Sequence, residues 1–317
     1  MRRREFISLV GGMTVVPLVA RAQQPSMPVI GLLGATTAQG YAVQVAAFRQ
    51  GLDEAGLIEG RDVTIDYRWA DDQYDRLPGL AADLVNRRVA VIATIGGNAA
   101  SLAAKAATTT IPVVFHGSLD PVKAGFVASL NHPGGNATGV VTLNVDTGRK
   151  RLELLHEVVP AATTLGLLLN PTNKMVAEVQ SKDLQTGAGA LGIQLRLLNA
   201  STERDFEDVF ASLKQMQVGG LVIGTDGFFV SESERLAALS GHNAMPAIFQ
   251  YRAFAAAGGL MSYGSSVTDS YDCPVFMPAA SSKARSQPID RQPQNGKGTL
   301  GVTVPMSLLG RADEVIE

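Results

Sequence analysis

His116 and Asp120 lie four residues apart, a spacing that would let an imidazole act as general base with a carboxylate to orient it. Such chemistry also needs an attacking group, and no serine or cysteine is placed by a motif to supply one. G-x-S-x-G, H-E-x-x-H and G-x-x-x-x-G-K-S/T patterns are missing, and Gly31-Leu32-Leu33-Gly34-Ala35-Thr36 lacks the spacing of a dinucleotide loop. One cysteine and four histidines in 317 residues leave no cluster with metal-ligand spacing. The chain therefore reads as a binding protein without a cofactor, not as an enzyme.

The residues left to act are small and polar. Gly34-Ala35-Thr36-Thr37, Gly96-Gly97-Asn98, His116-Gly117-Ser118, Asn144, Asn170-Pro171-Thr172-Asn173 and Thr225-Asp226-Gly227 each follow a short apolar run. Small residues let backbone amides approach a ligand, and amides at a helix start favour a carboxylate. The candidate binding set is Ala35, Thr36, Tyr41, Gly97, Asn98, His116, Gly117, Asp120, Asn144, Asn170, Thr225, Asp226 and Tyr251, which suits a small polar solute. Structural readings stand beside the functional ones. Gly96-Gly97-Asn98 is a tight turn capped by Asn98, with or without a ligand, and Asp120 either caps a helix from Pro121 or meets a ligand amine. His116 is a hydrogen-bonded turn residue or a contact. Tyr41, Phe228, Phe229 and Tyr251 either pack in the core or cleft wall or stack on an apolar part of the ligand.

These loops are positioned by short β-rich runs that alternate with segments of helical period, the pattern of parallel βαβ units. Strands are predicted at 28–33, 63–67, 90–95, 111–115 and 139–143, with helices at 43–55, 77–86, 99–107 and 121–130 between them. After a helix at 149–159 the series restarts, with strands at 164–169, 194–198, 220–223, 247–250 and 259–263 and helices at 176–191, 203–216 and 232–243. Ile30-Gly31-Leu32-Leu33 and Leu165-Gly166-Leu167-Leu168 open the two sets alike. The predicted fold is α/β: two doubly wound Rossmann-like lobes, 26–143 and 147–262, a cleft between them, and a return segment 263–317. Ligands of open α/β sheets sit beyond the carboxyl ends of the strands, where the polar loops fall.

A hydrophobic fraction of 46%, a charged fraction of 18% and a mean hydropathy of +0.13 are those of a globular chain. A net charge of −2 and no basic stripe past the first residues exclude nucleic-acid binding. Residues 1–22 read as an export signal: Arg2, Arg3 and Arg4, an apolar run over 7–19, and small residues for cleavage near Ala22. That run is too short to span a bilayer. Arg3-Arg4-Glu5-Phe6-Ile7 resembles the twin-arginine pattern, the general secretory route being the alternative. No cysteine follows to carry acyl groups, so the expected mature form is a soluble periplasmic monomer with a net charge of about −5.

Longer motifs carry a resemblance. Leu52-Asp53-Glu54-Ala55-Gly56-Leu57-Ile58-Glu59-Gly60-Arg61-Asp62-Val63, Tyr67-Arg68-Trp69-Ala70, Asp120-Pro121-Val122-Lys123, Leu130-Asn131-His132-Pro133-Gly134-Gly135-Asn136-Ala137-Thr138-Gly139-Val140 and Gly258-Gly259-Leu260-Met261-Ser262-Tyr263-Gly264 together resemble the ABC-transporter substrate-binding proteins of the tryptophan/tyrosine-type group. The resemblance covers about 25–271 and 300–317. It implies the type I periplasmic binding fold, hinges near 143–146 and 262–265, ligand capture by lobe closure, and ABC permease and ATPase subunits as partners. The implied ligand is an amino acid, aromatic in the leading case, or a related carboxylate. A sensory module presenting its closed state to a receptor is the alternative. Where members often carry Thr-Pro after the third strand, this chain has Asn98-Ala99.

Residues 272–299 break the βα pattern, with four prolines and Cys273, and by composition form a loop. The resemblance implies a helix and a hinge-crossing strand there. Back-translation with permitted codons restores both. One nucleotide earlier, 279–288 reads Gly-Arg-Ile-Leu-Lys-Gly-Glu-Lys-Pro-Ala-Asp; one later, 292–299 reads Asn-Leu-Lys-Thr-Ala-Lys-Ala-Leu. Both are family segments, so compensating frameshifts with a short deletion are the expected origin of this stretch. Resequencing the gene checks this: the other frames should encode those segments, and a clean read in which they do not refutes it.

Overall fold

The computed structural model describes residues 27–265 and 290–293; the export signal and the rest of 263–317, including most of 272–299, lie outside them. Apolar alternation builds the first lobe. Its elements are β1 (Val29–Gly34), α1 (Ala42–Glu54), β2 (Thr64–Trp69), α2 (Leu77–Asn86), β3 (Val91–Ile95), α3 (Asn98–Ala107), β4 (Val113–Gly117) and β5 (Ala137–Val141). Along β1, Ile30 and Leu32 face one buried cluster with Phe48 and Leu52 of α1, while Leu33 faces another with Leu77 and Leu84 of α2. A strand buried on both faces must be apolar throughout, and this is why β1 shows no polar alternation.

The second lobe repeats the plan with α4 (Gly148–Val158), β6 (Thr164–Leu169), α5 (Lys174–Leu191), β7 (Gln194–Asn199), α6 (Glu203–Gln215), β8 (Leu221–Ile223), α7 (Gly227–Ser231), α8 (Ser233–His242), β9 (Ala247–Phe249), α9 (Arg252–Ala256), β10 (Met261–Gly264) and β11 (Asp290–Pro293). The sheets run β2-β1-β3-β4-β5 and β11-β10-β9-β8-β6-β7, parallel except for β11. The shared Gly in the two opening strands has one cause. A Cβ on Gly31 would meet Leu84 at 2.9 Å, and one on Gly166 would meet Leu198 and Leu221 at 3.0 Å, so in each strand a side chain there would have to displace packed leucine methyls.

Three expectations need correction. The predicted helix over 121–130 is a run of hydrogen-bonded turns: Gly125 takes φ +75°, and the amides of Phe126 and Val127 turn back to the Pro121 carbonyl. The helices α7 and α9, each five residues long, sit in segments whose periodicity is too short to show. β11 falls within 272–299, where composition predicts no regular element, and pairs antiparallel with β10.

The chain passes from the first sheet to the second through Leu143, whose φ of +51° is left-handed, and Asn144, which is fully buried. Arg151 of α4 secures this passage. Its guanidinium, 1% exposed, donates to the carbonyls of Asn144 (2.8 Å) and Tyr263 (3.3 Å) and to the hydroxyls of Thr147 (2.9 Å) and Thr225 (3.1 Å). None of these partners is charged. Burial pulls its pKa down to about 10, so it stays protonated at neutral pH. Arg151→Met keeps the stem and strips the donors, leaving the carbonyls of Asn144 and Tyr263 without them. The expected loss is about 2–4 kcal/mol, read from urea unfolding; an unchanged midpoint would show that the guanidinium adds nothing to stability.

Candidate functional site

The carboxyl ends of β1, β3 and β4 in one lobe face those of β6, β8 and β9 in the other. Between them is a cleft of about 410 Å³, counting the part open to solvent. Seven of the thirteen sequence-predicted residues line it: Tyr41, Gly97, Asn98, His116, Thr225, Asp226 and Tyr251. Gln44, Gly96, Ser118, Asn173, Gly227, Val230 and Gln250 complete the wall.

At its centre is Asp226, the N-cap of α7 and 5% exposed. Its Oδ1 accepts from Tyr74 Oη (2.9 Å), Asn170 Nδ2 (2.9 Å) and the Phe228 amide (3.0 Å), and its Oδ2 accepts from Asn173 Nδ2 (2.7 Å). Tyr74 belongs to the first lobe, so this carboxylate joins the lobes directly. Burial raises its pKa, and the four donors oppose the shift. Beside it, a Cβ on Gly227 would meet the Gly96 carbonyl at 2.4 Å, so only glycine permits this approach of backbone across the seam.

The neighbouring polar groups are mostly held by the protein itself. Asn98 does not cap α3. Its Nδ2 donates to Ser118 Oγ (2.9 Å) and its Oδ1 accepts the Ser118 amide (3.1 Å), tying the loops after β3 and β4 together, and Gly97 occupies the cap position with φ +98°. Gln180 of α5 fixes the loop after β8, accepting from the Thr225 amide (2.6 Å) and donating to its carbonyl (3.1 Å). His116 is buried, and that burial lowers its pKa to about 4, making it a neutral hydrogen-bonding group at physiological pH. Phe228 and Phe229 pack in the core, where Phe228 stacks on Phe206 at 5.2 Å between centroids.

Six expected residues sit elsewhere. Ala35 and Thr36 are fully buried beneath the cleft floor, under Gly96 and Gly227 respectively. Gly117 lies behind Asn98, where a Cβ would meet Oδ1 at 2.7 Å. Asp120 spends its Oδ1 on the Val122 (2.9 Å) and Lys123 (3.0 Å) amides, which makes it a turn cap. Asn144 belongs to the passage between lobes, accepting the Ser265 amide at 3.1 Å. Asn170 acts one step back, on Asp226. Of the residues that sequence reasoning missed, Asn173, Gly96, Ser118 and Gly227 stood in loops already recognised as polar, whereas Tyr74, Gln44 and Gln250 carried no local signal.

Two doubly wound lobes that meet over a cleft lined by strand-end loops define a bilobed solute-binding protein. Residues 33–272 match the family described as ABC transporter substrate binding protein, three quarters of the chain, and this protein belongs to that family. A curated relative, the tyrosine-binding protein of Clostridioides difficile (strain R20291), is 28% identical over 218 residues, which are 68% of this chain and 61% of that protein's length. Among solved structures, a conserved domain protein from Vibrio cholerae aligns over 92% of this chain and 100% of its own, with TM-score 0.74 and 20% identity. The ABC domain from Streptococcus pneumonia in complex with L-Trp aligns over the same shares, with TM-score 0.72 and 21% identity. These likenesses establish the fold as that of type I periplasmic binding proteins. No helix among the described residues is long and apolar enough to cross a membrane.

Across the seam from Glu232 and Glu203 stands Asp72, in the left-handed conformation at φ +61°. Burial first, then the carboxylates of Glu232, Asp226, Asp71 and Glu203, push its pKa up to about 7. The nearby cations are engaged, Arg76 with Asp71 and Arg235 with Glu203. An unfolded chain holds such a carboxyl near 3.8. Between about pH 4 and 7 the folded chain therefore keeps a proton that the unfolded chain has lost, and stability falls as pH rises through that window. Melting temperatures of wild type and Asp72→Asn between pH 5 and 8 should show the steeper decline in wild type; parallel profiles would refute the assignment.

Proposed function

We propose that the protein is the extracytoplasmic solute-binding component of an ABC importer and that its ligand is an α-amino acid with an aromatic side chain. The observation that carries this reading is Asp226, a buried carboxylate facing the cleft whose described partners are all neutral. Oδ1 accepts three bonds but Oδ2 only one, which leaves Oδ2 room for a ligand ammonium. A ligand carboxylate fits the start of α3 at Gly97, where backbone amides and the helix dipole favour negative charge. Tyr41, Val230 and Tyr251 supply apolar wall for a ring. The tyrosine and L-Trp in the names of two relatives agree with that choice.

On this reading the ligand bridges lobes 26–143 and 147–262, which turn about 143–146 and 262–265, and it stabilises the closed arrangement through contacts that exist only there. A permease with its ATPase then reads the closed form. The mature protein acts as a soluble periplasmic monomer and performs no covalent chemistry. Titration calorimetry with L-tyrosine, L-tryptophan and L-phenylalanine tests the ligand class, and failure of all three would refute it. Asp226→Asn keeps the shape and removes the charge, and it should weaken binding about 10- to 100-fold. An unchanged Kd would refute the ammonium site.

A further inference from the structure

Two cleft residues stand apart from the paired groups around them. Gln44, on the first turns of α1, is 7% exposed, and Gln250, which follows β9, is 2% exposed. They reach the cleft from opposite lobes. The Oε1 of each is sealed from solvent and meets no donor among the described residues. Other polar side chains of the cleft are held by the protein: Asn98 by Ser118, Asn173 by Asp226, and Thr225 by Asn144 and Arg151. A buried amide oxygen left without a donor is costly, and two of them bordering one cavity mark positions that a bound molecule completes.

Resting on the amino-acid reading above, the ligand's ammonium and carboxylate are met by Asp226 and the start of α3, so neither is left for the glutamines. We infer that the ligand's aromatic ring carries a hydrogen-bonding group of its own, a ring hydroxyl or ring N–H, and that Gln44 and Gln250 are the residues that select for it. A phenol both donates and accepts, so it satisfies a primary amide in either orientation, and an indole N–H satisfies the amide oxygen. A bare phenyl ring satisfies neither and would seal both amides in the closed cleft without partners. Sites built to bond a substrate O–H or N–H reject the analogue lacking it far more strongly than apolar pockets reject a missing methylene.

Calorimetric titration of the wild-type protein gives the first test and needs no variant: the tighter of L-tyrosine and L-tryptophan should bind about 100-fold better than L-phenylalanine. In Gln44→Met/Gln250→Met, which conserves length and volume, that preference should fall to within about threefold of unity, with phenylalanine binding retained. Circular dichroism melting of the variant confirms that it folds. If wild type binds phenylalanine as tightly as the others, or the double variant keeps the full preference, the glutamine assignment is overturned while the amino-acid reading stands. Absence of binding to all three ligands in wild type, or an unchanged Kd in Asp226→Asn, would instead overturn the underlying reading.

Discussion

A carboxylate sealed from water costs several kcal/mol unless donors meet its oxygens, and the seam between the lobes is arranged about Asp226 accordingly. Its four partners come from three segments, including Tyr74 from the opposite lobe. For Tyr74 to reach it, the loops after β3 and β8 must touch, and they do so through Gly96 and Gly227. Further along the same seam, a Cβ on Gly40 would meet Ser231 Cβ at 2.5 Å. The glycines are thus spaced for contact between lobes as well as for turns. Val176 of α5 buries itself in the first lobe's core, and Val230 packs against cores of both lobes, so apolar contacts seal the seam around the polar centre.

The second buried charge follows the same rule with the sign reversed. Arg151 and Asp226 belong to one lobe and are linked through the Thr225-Asp226 step, since Arg151 bonds the Thr225 hydroxyl at 3.1 Å. The terminal nitrogens of the guanidinium donate to carbonyls and hydroxyls and the carboxylate accepts from amides and a phenol, so neither neutralises the other. The first lobe contributes a phenol, the Gly96 carbonyl, a neutral His116 and the Asp72 carboxyl to the seam, and no cation among the described residues that line the cleft. Lobe contact therefore needs no ion pair to form between the lobes, and the carboxylate's charge stays uncompensated at the cleft.

How much of this was legible in the sequence depends on whether the physical cause was local. The doubly wound order was readable because the central strands β1, β3, β6 and β8 are buried on both faces while the helices are buried on one, which leaves periods of different length in the residues themselves. Thr225 and Asp226 were readable because small polar residues at a strand end have few structural uses besides caps and contacts. The same signal misled at Asp120, where the carboxylate is consumed by two amides of its own turn. It misled at Asn144 too, which serves the passage between lobes. Tyr74 was invisible because its partner lies 152 residues away, and a buried tyrosine after a strand looks like core. Gln44 and Gln250 sit on a helix and behind a short strand, and only the meeting of two lobes turns them toward one cavity.

The balance of donors and acceptors in the cleft bears on what it can hold. No lysine or arginine lines it, and Arg151 is occupied by the passage segments. A dicarboxylate would then add negative charge beside Asp226 with only the α3 amides to receive it, which like-charge repulsion in a desolvated site disfavours. A neutral sugar would satisfy the glutamines but leave the buried carboxylate without a cation. A zwitterion matches both ends at once, with its ammonium against Oδ2 of Asp226 and its carboxylate at the positive end of α3. The proposed ligand is therefore a molecule that is neutral as a whole and charged at both ends, with the apolar wall of Tyr41, Val230 and Tyr251 beside its ring.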